Sequence, residues 1–229
     1  MAPPQAAPRD SAATMLVNAV VEARGGLQAL KNVRTVIAEA DTALRMEQGT
    51  LVTTTKTYVA YPDKFRVDAT IQGIETVQVF NAGAAWVRNP AGVQDVPQGM
   101  RDEMMAGVQR DMIPLLVNAA EGRLTVRLLP DETRDGQRFR VLEISGDELP
   151  AVKLFVDRQN LVARQAYAAA GPDGRPESAE EAFSDYRTVD GIQVPFKAEL
   201  VRRGAVILSR TLTSVTLNSP IDERLFARP

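Results

Sequence analysis

The chain has 229 residues with no histidine and no cysteine, and it carries 27 basic against 29 acidic side chains. The two missing residue types remove the usual zinc ligands, the thiol nucleophile and the commonest general base. A net charge of −2 gives no electrostatic pull toward nucleic acid or an anionic membrane.

Residues 1–10 are rich in Pro and Ala. They lack the basic start and continuous apolar core of a secretion signal, and their composition is that of a semi-rigid linker. A linker implies something upstream, so the chain reads as a piece of a longer, exported protein. A single domain is expected over residues 11–229, and no apolar run approaches the ~20 residues of a membrane span.

Asp10-Ser11 offers a helix cap, after which Leu16, Val20, Ala23 and Leu27 recur at helical spacing. Gly25-Gly26 interrupts that helix, and Leu27 to Leu30 forms a last turn. From Val33 the period changes to two: Val36, Ala38, Ala40, Thr42 and Leu44 share one face, and Ile37, Glu39 and Asp41 share the other. Strands are predicted over Thr50 to Ala60, Lys64 to Thr70, Ile74 to Asn81 and Ala84 to Arg88, the last carrying the only tryptophan, Trp86.

Helical periodicity returns over Gln98 to Ala120, where Pro114 either kinks one helix or opens a second with Asp111 at its N-cap. Four of the seven methionines fall here: Met100, Met104, Met105 and Met112. They suit ordinary core packing or an adaptable lining for an irregular apolar ligand. Strands then resume over Leu124 to Leu129, Arg138 to Ser145, Ala151 to Asp157 and Leu161 to Ala169. Gly171 to Gly174 reads as a turn, and three strands, Ala179 to Val189, Ile192 to Arg202 and Val206 to Leu217, complete the sheet.

Little in this pattern carries chemistry. Glu180 and Glu181 point to opposite faces of a strand and cannot jointly flank one bond. Asp157 to Asn160 lacks the glycine and terminal Glu of a calcium loop. There is no Walker loop, dinucleotide turn or nucleophile elbow. No catalytic residue, metal site or cofactor is expected. Arg66 reads as an exposed strand arginine or as a charged group near a cavity mouth, and Trp86 as a core anchor or a ligand platform.

Three stretches carry a family resemblance. They are Tyr61-Pro62-Asp63-Lys64-Phe65-Arg66-Val67; Phe155-Val156-Asp157 with Leu161-Val162-Ala163-Arg164; and Asp185 to Pro195 with Asn218-Ser219-Pro220-Ile221-Asp222 and Leu225-Phe226. Together they resemble the LolA/LolB-like outer-membrane lipoprotein-sorting carriers. They are closer still to the non-catalytic C-terminal domain attached to some bacterial insulinase-type metallopeptidases, which also has a counterpart of Gly25-Gly26 with Leu30 and Val33. The resemblance implies an α+β fold, a curved antiparallel sheet forming an incomplete, half-open β-barrel around helices, with an apolar cavity between them. In the carriers that cavity holds lipoprotein acyl chains during transit across the periplasm. The peptidase zinc motif needs two histidines, so this chain cannot perform that proteolysis.

The expected function is a non-enzymatic periplasmic binding domain for a lipid or lipoprotein acyl chain. Met104, Met105, Val108 and Met112 would line the lid side of its cavity. Val67, Val79, Trp86, Phe139, Leu142 and Leu154 would line the sheet side, with Arg66 near the mouth. The alternative is an accessory domain that packs against an upstream peptidase domain and holds no small ligand.

Overall fold

A computed structural model describes residues 10–171 and 175–229. The Pro/Ala-rich start and residues 172–174 of the expected turn lie outside the described residues.

Asp10 caps the first helix, α1 (Ser11–Ala23), with its Oδ1 accepting from the amides of Ala12 at 3.1 Å and Ala13 at 3.2 Å. The glycine pair separates α1 from the short α2 (Leu27–Asn32). Gly25 has φ +121°, and a Cβ there would lie 2.4 Å from the Gly191 carbonyl oxygen. Only glycine lets α1 end so close to that turn, where the Gln193 amide donates to the Arg24 carbonyl at 3.0 Å.

Six strands follow as a meander: β1 (Thr35–Met46), β2 (Gly49–Ala60), β3 (Lys64–Ile71), β4 (Ile74–Asn81), β5 (Ala84–Asn89) and β6 (Gly92–Asp95). Two helices interrupt, α3 (Gln98–Gln109) and α4 (Met112–Ala120), so Pro114 sits in the first turn of a second helix capped by Asp111. A second meander completes the chain: β7 (Thr125–Arg134), β8 (Gln137–Ser145), β9 (Val152–Val156), β10 (Val162–Ala170), β11 (Pro176–Val189), β12 (Ile192–Arg202) and β13 (Ala205–Leu217). A 3-10 turn, Glu223–Phe226, follows.

The 13 strands form one antiparallel sheet in the order β6-β5-β4-β3-β2-β1-β13-β12-β11-β10-β9-β8-β7. The two meanders join where β1 pairs with β13, Val36 opposite Leu217. β6 and β7 end the order, so the sheet curls without closing. Register shifts in β1–β13, β7–β8, β9–β10 and β12–β13 supply bends along it. This is the α+β, half-open architecture expected from the sequence. β6 was not foreseen: four residues with one apolar side chain, Val93, leave almost no alternation to detect.

The concave face is filled unevenly. Under α1, α2 and α4, the buried side chains Leu16, Val17, Val20, Leu30, Leu115 and Leu116 form one core with Leu142, Ile144, Leu154 and Val156 of β8 and β9. The convex face carries two smaller clusters. Phe226 seals Val77, Val79 and Trp86. Phe139, Val141 and Phe155 form the other, with the Arg134 guanidinium 4.3 Å above the Phe155 ring.

Candidate functional site: an apolar groove beneath the third helix

The centre of the concave face is where the helices leave the sheet uncovered. Strand alternation points Val36, Ala38 and Ala40 of β1 inward, beside Thr57 and Val59 of β2 and Leu212, Val215 and Leu217 of β13. Small side chains at Ala38, Ala40 and Thr57 leave room there. Met112 and Ile113 of α4 and Gly107 of α3 close the space from above, giving a cavity of about 320 Å³. A second lobe of about 210 Å³, lined by Phe65, Met104 and Val108, adjoins it, and both share Thr57, Val59, Tyr61, Gly107 and Asp111. Volumes of about 300–1,000 Å³ are usual for small-molecule sites.

α3 spans the groove. Met104 packs with Phe80 and Ala85 on one side. On the other, the Arg110 guanidinium lies 4.0 Å over the Tyr167 ring, and Gln165 donates to the Arg110 carbonyl at 2.9 Å. Arg110 also pairs with Glu103. Strands seven places apart in the sheet, β4 and β10, thus meet the same helix.

Polar side chains also line the larger lobe, among them Arg24, Tyr61, Arg110, Asp111, Glu181 and Arg210. Tyr61 Oη donates to Asp111 Oδ1 at 2.8 Å, and that oxygen also accepts the Ile113 amide at 3.0 Å. Burial pushes the Asp111 carboxyl above its ordinary range, against the Tyr61 and Ile113 hydrogen bonds and the charges of Arg24 and Arg210. Burial likewise pushes the Tyr61 phenol well up, reinforced by Asp111. Tyr167 donates to Glu181 at 2.7 Å, and burial foremost raises its phenol too. Arg24, at the C-terminus of α1, completes the set and is 3% exposed.

The expected site residues divide. Met104 and Val108 line the smaller lobe and Met112 the larger. Val67, opposite Thr57, shares the concave face. Leu142 and Leu154 also face inward but are 0% exposed in the core under α1 and α4. Met105 is 40% exposed.

Four others belong to the convex face, a correction imposed by register: Arg66 and Val79 pair across β3–β4, Val79 and Trp86 across β4–β5, and their neighbours Phe65 and Phe80 take the groove side. Arg66 donates to Asp68 at 2.6 and 3.1 Å and to the Leu225 carbonyl at 2.9 Å. Trp86 and Val79 lie under Phe226, and Phe139 lies in the other convex cluster. The sequence reading missed Arg24, Tyr61 and Asp111 as groove residues. One signal was present: Arg24 falls four residues after Val20, on the buried stripe of α1.

Glu180 and Glu181 do face opposite ways. Glu180 binds Arg134 at 2.6 Å and Arg164 at 2.8 Å on the convex side, while Glu181 lines the groove. Among the described residues no cluster of acidic side chains is arranged to hold a metal ion, and no helix is long and apolar enough to cross a membrane.

Neither a protein-family model nor a curated protein matches the sequence. Solved structures do match the fold. A DUF1329 family protein from Desulfovibrio piger superposes with a TM-score of 0.63 at 15% identity, covering 94% of this chain and 97% of that one. A LolA superfamily protein from Nitrosomonas europaea gives 0.61 at 12% identity, covering 94% and 97%. An outer membrane lipoprotein-sorting protein domain from Vibrio parahaemolyticus gives 0.57 at 13% identity, covering 94% and 96%. With its unclosed sheet and inserted helices, the chain has a LolA-like incomplete barrel.

Proposed function

We propose that this chain is a non-enzymatic, extracytoplasmic binding domain that holds an apolar ligand, a lipid or lipoprotein acyl chain, in the groove beneath α3. The observation that carries the reading is the groove itself: an apolar opening in a sheet face that is otherwise packed. Burying a methylene there stabilises binding by about 0.8 kcal/mol, so a chain entering it needs few polar contacts. The likeness to a lipoprotein-sorting domain supports both the ligand class and a periplasmic setting. The carboxylates at hand are already engaged: Asp111 by Tyr61, Glu181 by Tyr167, Glu180 by two arginines. Packing against an upstream peptidase domain would leave the groove without an occupant.

Native mass spectrometry of protein purified from periplasmic expression, followed by organic extraction, tests the proposal. The wild type should carry a discrete acyl-lipid mass, and Ala38→Trp, which fills the larger lobe, should lose it. A bare polypeptide mass for the wild type after incubation with phosphatidylethanolamine vesicles would overturn it.

A further inference from the structure

Among the described residues, Arg24 is the one groove side chain with buried nitrogens that lack a hydrogen-bond partner. It is 3% exposed and lines the larger lobe, yet its Nε and Nη1 are buried without a hydrogen-bond partner. Two buried donors without an acceptor on one cation are costly, and native structures rarely leave them so. The Tyr186 hydroxyl and the charge of Asp111 compensate the guanidinium only in part. The Tyr186 ring lies 5.7 Å from its guanidinium carbon, at the outer limit of a cation–π contact. The C-terminus of α1 offers only a partial negative charge. The nearby carboxylates accept through one oxygen each, Asp111 Oδ1 from Tyr61 and the Ile113 amide and Glu181 Oε1 from Tyr167, and neither partners Nε or Nη1 of Arg24. The lobe is lined by three guanidiniums, Arg24, Arg110 and Arg210, against these two carboxylates. Arg110 is held by Glu103, and Arg210 is exposed.

We propose that Arg24 anchors the head group of an anionic amphiphile, a carboxylate or phosphate attached to the apolar chain that fills the groove. This rests on the binding function proposed above and names its ligand class. The head group's oxygens accept from the orphaned nitrogens as the Arg24 side chain turns into the lobe, and the tail runs along Val36, Ala38 and Val59 toward Met112. Charge-assisted hydrogen bonds of this kind are about twice as strong as neutral ones, so the anion distinguishes ligands of equal tail length.

The test is displacement of the neutral dye N-phenyl-1-naphthylamine by four probes sharing one tail: laurate, dodecyl phosphate, dodecanol and dodecyltrimethylammonium. The two anions should bind wild type at least about tenfold tighter than the alcohol or the cation. Arg24→Met should lose that preference, its affinities for laurate and dodecanol converging. Its melting temperature without ligand checks that the variant is folded. Whichever anion binds tighter identifies the head group.

Equal affinity for laurate and dodecanol in the wild type would overturn the proposal, as would an anion preference that survives in Arg24→Met. Failure of the dye and all four probes to bind would instead sink the groove function itself. Should Arg24→Met not fold, Arg24→Lys keeps the charge but loses the guanidinium's donor geometry, and it should show a reduced anion preference with dodecanol binding intact.

Discussion

Asp111 ties two elements of the groove wall through one carboxylate: it caps α4 at Ile113 and receives the hydroxyl of Tyr61, which lies just beyond β2. Burial is the largest influence on that carboxyl and raises it, while Tyr61, the Ile113 amide, Arg24 and Arg210 pull the other way. A carboxyl raised on folding binds its proton more readily in the native state than in the unfolded one. As pH falls from neutral through the raised value, the native state therefore gains stability. The gain is complete below the ordinary Asp value of 3.8. Asp111→Asn keeps an oxygen for both donors but cannot titrate. Denaturant unfolding of wild type and Asp111→Asn across this range should show the wild type gaining on the variant as pH falls. A wild type that loses ground instead would mean that the two arginines, not burial, govern the carboxylate.

The C-terminal 3-10 turn is a small element with a large seat. Phe226, 1% exposed, covers Val77, Val79 and Trp86, and Arg66 and Asn81 donate to the carbonyls of Leu225 and Phe226 at 2.9 and 3.4 Å. Removing a buried phenyl costs about 3–5 kcal/mol, so Phe226→Ala should lower stability by that order and shift Trp86 emission to the red. Its dye affinity in the groove should be unchanged, since the cluster lies on the opposite face. A loss of dye binding at full folding would show the two faces to be coupled. The same element explains what the sequence hid. Alternation marked the strands of both meanders apart from β6 and the division of β1 into two faces, and Asp10, the glycine pair and Pro114 punctuated the helices. Period two says which residues share a face, not which face is concave. Arg66, Val79, Trp86 and Phe139 read as groove lining because the convex face has its own apolar clusters, sealed by Phe226 and by Arg134 stacking on Phe155. No local pattern announces coverings that come from residues so distant in the chain.

At the scale of the whole molecule, the helices do unequal work. α4 buries Leu115, Leu116, Val117 and Ala119 in nine residues, and α1 buries five side chains in thirteen. α3 buries Met104 alone in twelve, although it spans the groove from β4 to β10. Local opening costs least where the fewest apolar side chains are buried, so α3 should open more readily than α1 and α4. On the proposed binding function, ligand in the space below adds to the contacts α3 makes with Phe80 and Ala85 and should favour the closed form. Hydrogen exchange measured by mass spectrometry should accordingly show α3 amides exchanging faster than those of α1 and α4. Saturating laurate should slow α3 by much more than it slows α1. Exchange of α3 and α1 at one common rate, with or without laurate, would mean that the helices open only with the whole domain. Access to the groove would then need global unfolding, which would count against the proposed binding function.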